Sequence, residues 1–198
     1  DKGGVFLNYI KVNCLLKDAA GKINGVHAVD TLDGKEYQIK SKVVVNATGV
    51  FVDDVMKMDE CDTRRKVRPS QGVHLVVDSK FLGGRSALMI PKTKDGRVLF
   101  GVPWHGKVVL GTTDTPLNEA SLEPRALEEE VDFILDQAGQ YLDRKPTRAD
   151  VLSIFAGLRP LAAPTHADSK KTKEISRNHK IYRSKSGLLT ITGGKWTT

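Results

Sequence analysis

Cysteine is scarce in this chain: Cys14 and Cys61 are the only two in 198 residues, and their spacing is not that of a metal site. Two thiols are too few for a disulfide framework and point to a reducing compartment. Long apolar runs are missing as well, since none approaches the roughly 20 residues that span a bilayer. Asp1 to Phe6 lack the basic start and long apolar core of a signal peptide, and a start on aspartate fits an excised piece. GxGxxG, P-loop, HExxH and serine-elbow motifs are all absent. The five histidines (27, 74, 105, 166, 179) have no i,i+4 pairing, so no metal is expected. Aromatics make up 6% of the chain and are not interleaved with its basic residues, which argues against a nucleic-acid module.

What is present fits a globular chain of one large or two small domains, with 39% hydrophobic and 28% charged residues. The net charge of +7 is uneven. From Arg144 to Thr198 there are 12 Lys/Arg against 3 Asp/Glu, while the remainder carries 19 against 21. Such a basic third suits nucleic acid, anionic lipid or a small phosphorylated substrate, or is a solvated lysine-rich loop at 169–173.

The pattern is mostly β. Val12–Leu16, Gly25–Thr31 and Glu36–Lys40 read as strands, with a turn at Asp33-Gly34. Residues 42–49, KVVVNATG, read as a strand buried on both faces. Asp59–Arg68 is polar and reads as a boundary. Short intervals between 72–77, 87–90, 97–102 and 107–112, with turns at Asp95-Gly96 and His105-Gly106, predict an antiparallel meander. One long helix is predicted from Leu122 to Leu142, capped by Ser121, with Leu127, Val131, Ile134, Leu135 and Ala138 as its apolar stripe. Strands over 151–155, 179–183 and 188–192 follow. The fold class is α+β.

Several polar residues stand at or near strand ends. Arg159, between Gly157 and Pro160, is either a clamp for phosphate or carboxylate or an arginine paired structurally to a carboxylate. His74 lies in a strand between apolar residues, where a satisfied core histidine is the commoner outcome. Lys195 is an anion ligand or a solvated side chain, and Gly111-Thr112-Thr113-Asp114 is explained by turn capping alone.

Six motifs in order resemble the FAD-dependent glycerol-3-phosphate dehydrogenases of the amino-acid-oxidase-like flavoprotein superfamily. They are VVVNATG at 43–49, GVHLVV at 72–77, VPWHGKVVLGTTD at 102–114, FAGLRPL at 155–161, ISRNHKI at 175–181 and TGGKWTT at 192–198. The resemblance implies an α+β protein with an antiparallel-sheet substrate domain carrying a long helix, at 61–174. It adds a β-rich remnant of a Rossmann-like FAD-binding domain at 1–60 and 175–198. It implies oxidation of sn-glycerol 3-phosphate to dihydroxyacetone phosphate by hydride transfer to flavin, with electrons passing to quinone.

By family position, His74 is the base or the group that orients the substrate hydroxyl, and Arg159 orients the hydroxyl or phosphate near the flavin. Arg177 and Lys195 bind its anion. Val12, Ala47, Thr48, Gly49, Gly157, Gly193 and Gly194 line FAD. Two departures occur: ATGVFVDD replaces the usual proline-tryptophan after the glycine, and QGVH replaces glycine-serine-histidine. The resemblance further implies that the chain is the middle of the enzyme, without the glycine-rich phosphate loop or the C-terminal helical region. Such a piece is not expected to hold FAD tightly or to turn over alone. The whole enzyme is expected in the cytoplasm or peripherally at the inner face of the cell membrane. An oxygen-using oxidase is the alternative enzyme; a basic module for nucleic acid or anionic lipid is the alternative class.

Overall fold

The computed structural model describes residues 3–94, 96–163 and 179–194. They form two compact units: 3–67 with 160–163 and 179–194, and 68–159.

In the first unit β1 (Ile10–Lys17), β2 (Ile23–Asp30) and β3 (Glu36–Lys40) make an antiparallel meander. Gly34, with φ +76°, supplies the left-handed residue of its second turn. A second sheet runs β11-β12-β4, from β4 (Val45–Asn46), β11 (His179–Arg183) and β12 (Leu189–Gly193). Here β4 pairs with β12 in parallel, and β11 and β12 form a hairpin.

The strand expected at 42–49 is thus reduced to two residues. Val43 and Val45 are exposed while Val44 packs on the core and Asn46 is buried, so only one face of this segment is covered. An apolar run alone does not say which faces will be covered. Next comes a helix that the sequence reading did not find, α1 (Val52–Asp59). Val52 and Met56 are buried one turn apart, and Asp53 and Asp54 sit in the positive first turn. The Asp53 carboxylate also accepts the backbone N–H groups of Lys66 and Val67, at 2.8 and 3.1 Å.

The second unit is built on the sheet β10-β5-β8-β7-β6, with β9 paired to β5. Its strands are β5 (Val67–Asp78), β6 (Leu88–Ile90), β7 (Leu99–Trp104), β8 (Lys107–Gly111), β9 (Thr115–Pro116) and β10 (Val151–Ala162). The predicted meander is present over β6-β7-β8, all antiparallel, whereas β5 pairs antiparallel with β8 and not with β6, the next strand in the chain. His105 and Gly106, at φ +46° and +73°, close the β7–β8 hairpin with Trp104 opposite Lys107. At the other expected turn Asp95 lies outside the described residues; Gly96 donates its N–H to the Thr93 carbonyl at 2.7 Å.

Strand alternation sends Val73, Leu75 and Val77 to one face of the sheet. There they pack with Leu99, Val108 and Leu110 against Val131, Ile134, Leu135 and Ala138 of α2 (Glu128–Gly139). Full burial of each large side chain contributes about 1.5–3 kcal/mol, so this face holds the unit together. The helix is shorter than the predicted 122–142. Leu127 is its N-cap and lies partly exposed, Leu122 is exposed, and Ser121 receives only the Glu123 N–H, at 3.2 Å. Pro124 disfavours helix at the residue before it, so the chain turns helical only after the proline segment.

Candidate active site

The other face of the same sheet carries His74, which β5 places directly opposite Gly111 of β8. A methyl group at position 111 would collide with the imidazole, so the glycine makes room for the ring. On its other side the ring stacks on Phe155 of β10, with centroids 5.0 Å apart and planes 11° from parallel. Burial, and then the positive charge of Arg159, hold the His74 pKa below its ordinary value. The imidazole is therefore neutral at pH 7 and able to take a proton.

Arg159, on β10, lies across Gly72 of β5, where any Cβ would strike its guanidinium. Nη1 donates to the Thr113 carbonyl at 3.1 Å and Nη2 to the Thr112 hydroxyl at 3.0 Å. Asp114 stands 3.5 Å from Nη1 and accepts a hydrogen bond from Ser70. Arg159 thus has the carboxylate partner of its structural reading, and its side chain keeps 34% of its surface open. Thr112, Thr113 and Asp114, explained earlier as turn-capping groups, form its seat.

Beside His74 an apolar cleft of about 460 Å³ opens between Val76, Val102, Trp104, Val109 and Phe155. Its walls suit a flat ring better than a phosphate.

His74, Gly157 and Arg159 belong to the second unit; Val12, Ala47, Thr48, Gly49, Gly193 and Gly194 belong to the first. Val12 is half-buried in β1, opposite Ala28. Asn46 is buried and accepts the Thr48 hydroxyl at 2.7 Å, fixing the loop after β4. Gly49 and Gly157 have no atom within 4 Å of where a Cβ would stand, so backbone is open to a close-lying group. In the first unit, the loop held by Asn46 and the open Gly49 leave room at the end of β4 for a close-lying cofactor group. Arg177 and Lys195 lie outside the described residues. Gly72, Gly111, Phe155 and Glu130 were not singled out from the sequence for this site. Their roles depend on partners from 15 to 87 positions away, which no local pattern encodes.

The FAD dependent oxidoreductase family matches residues 1–198 by its sequence profile, and the chain belongs to that family. Its relatives include the mitochondrial glycerol-3-phosphate dehydrogenases of Arabidopsis thaliana, 46% identical over 197 residues, and of Homo sapiens, 42% identical over 203. Each match takes in 99% of this chain, against 31% and 28% of the relative. The glycerol-3-phosphate dehydrogenase of Bacillus halodurans, solved with FAD, superposes with a TM-score of 0.81 at 39% identity. That match covers 96% of this chain and 35% of the solved one. The chain therefore spans about a third of the length of these relatives. A glycerophosphate oxidase from Mycoplasma pneumoniae, at 15% identity and TM-score 0.63, shares the fold.

Proposed function

We propose that this chain is the central, substrate-binding part of an FAD-dependent glycerol-3-phosphate dehydrogenase. The observation that carries this reading is a neutral imidazole, His74, held between Gly111 and Phe155 within the electrostatic reach of Arg159. Oxidation of sn-glycerol 3-phosphate to dihydroxyacetone phosphate removes a hydride from C2 and a proton from its hydroxyl. His74 receives the proton. Arg159 holds the hydroxyl or the phosphate through its open edge, while Thr112, Thr113 and Asp114 keep the guanidinium in place. FAD supplies the hydride acceptor, and Ala47–Gly49, Gly157, Gly193 and Gly194, with Val12, are the residues that would lie along it. Arg177 and Lys195 complete the anion site by their family position.

Electrons go on to quinone in this proposal, which places the whole enzyme peripherally at the inner face of the cell membrane, reached from the cytoplasm. No described helix is long and apolar enough to cross a membrane.

Anaerobic addition of glycerol 3-phosphate to the FAD-loaded full-length protein is expected to bleach the flavin's visible band, while glycine and D-amino acids leave it unchanged. Bleaching by an amino acid instead would overturn the assignment. On re-oxidation, quinone reduction supports the dehydrogenase, and rapid peroxide formation in air supports the oxidase.

The His74 pKa adds a pH dependence. A depressed value keeps the base active at pH 7, so the acid limb of flavin reduction falls below the ordinary histidine value of about 6.5. The associated stability is present above the unfolded-state value and is lost as pH falls through the folded one. Arg159→Gln removes the nearby charge and is expected to move the limb to higher pH. A pH series of flavin reduction by the two proteins checks this, since substrate titration is common to both.

A further inference from the structure

Glu130 reads in the sequence as a first-turn carboxylate complementing the positive end of α2, like Glu128 and Glu129. Its neighbours are exposed, whereas Glu130 is 3% exposed. A buried carboxylate is costly unless its lone pairs are filled, and here they are. Oε1 accepts the hydroxyls of Thr113 and Thr115, at 2.9 and 2.6 Å. Oε2 accepts the Gln71 amide at 2.6 Å and the Leu127 N–H at 2.9 Å. Burial alone would raise its pKa, but these four donors outweigh burial and hold it below the ordinary range.

Helix capping needs only the bond from Leu127. The other three reach both sides of the Arg159 seat. Gln71 adjoins Gly72, over which the guanidinium lies. The Thr113 hydroxyl gives its proton to Glu130 and accepts the Val73 N–H at 3.0 Å, so both of its roles are taken and its rotamer is fixed. The carbonyl of that same Thr113 receives Arg159 Nη1 at 3.1 Å.

We infer that Glu130 is a positioning residue for Arg159, acting through Thr113 and Gln71 to set where the guanidinium stands. This rests on the proposal above that Arg159 works on the substrate. A carboxylate in the core of the second unit therefore governs substrate handling on the sheet's other face without touching substrate.

The test is a double-mutant cycle in the FAD-loaded full-length protein, with kcat and KM for glycerol 3-phosphate expressed per bound flavin. Glu130→Gln keeps the size but sets an NH₂ group against donors. It is expected to lower kcat/KM by roughly tenfold to a hundredfold. In an Arg159→Ala background the same change is expected to cost less than about twofold. Equal factors in the two backgrounds, or a lowered Tm with kcat/KM unchanged, would overturn the inference and leave Glu130 a structural cap. A silent Arg159→Ala would remove Arg159 from the site and this inference with it, an outcome visible in that single variant and separate from the substrate test of flavin bleaching. Should Glu130→Gln fail to load flavin, Thr113→Val and Thr113→Ser decide. The valine is expected to lose activity and the serine to recover most of that loss; a fully active valine variant overturns the inference.

Discussion

Replacing Arg159 by alanine in the full-length protein is expected to cut glycerol 3-phosphate turnover by about two to three orders of magnitude, with flavin content unchanged. The size follows from what one preorganised donor to a developing or resident anion is worth in a closed site, about 3–4 kcal/mol. Every contact of Arg159 named above lies within the second unit, to Thr112, Thr113 and Asp114. The residues assigned to the cofactor's phosphates, Ala47–Gly49, lie in the first. Turnover and flavin retention should therefore separate. Lysine is a poor substitute, because the planar fork of arginine reaches the Thr113 carbonyl and the Thr112 hydroxyl at once, whereas an ammonium is a single point of charge. Stopped-flow flavin reduction, with flavin absorbance per protein as the control, makes the measurement. Unchanged reduction by the alanine variant would exclude Arg159 from the chemistry.

Gly72→Ala is expected to do nearly as much damage with one added methyl group. The new Cβ falls on Nη1, Nη2 and Cζ of Arg159, so the guanidinium has to leave its seat. Gly72 lies mid-strand in β5 and does not need a left-handed backbone, so alanine adds no conformational strain. The displaced atoms are the far end of a flexible side chain, which keeps the stability change within about 1 kcal/mol. The functional change is large, because a displacement of about 1 Å in a positioning group can cost a hundredfold in rate. Melting temperature and kcat/KM measured together test this. Native turnover in Gly72→Ala would mean that the seat over residue 72 is not the working position of Arg159.

Much of the scaffold was legible because its signals are local. The stripe Val131, Ile134, Leu135, Ala138 repeats at the helical period, and it forms the packed face of α2. The meander announced itself through short intervals between strands and a turn at His105-Gly106. Helix α1 was missed because the acidic residues around Val52 and Met56 hid a stripe only two turns long. The start of α2 was misplaced because Ser121 and Pro124 imitate a cap, while the functioning cap bond comes from Glu130, inside the helix. Arg159 stood out by its place between Gly157 and Pro160, and family position gave His74 its role as base. Their supports had neither signal, since Gly111 matters to His74, and Gly72 and Glu130 to Arg159, only through sheet register and helix packing.

Trp104 gives the cleft beside His74 an optical property. It stands at the end of β7 with 63% of its surface exposed and meets the His105 ring edge-on at 5.1 Å. The sequence has only one other tryptophan, at position 196. An indole in water emits at longer wavelength than one under a ring, so whatever covers this cleft will shift or quench the protein's own fluorescence. Occupancy of the cleft is thus readable in ultraviolet light, with neither turnover nor an added label.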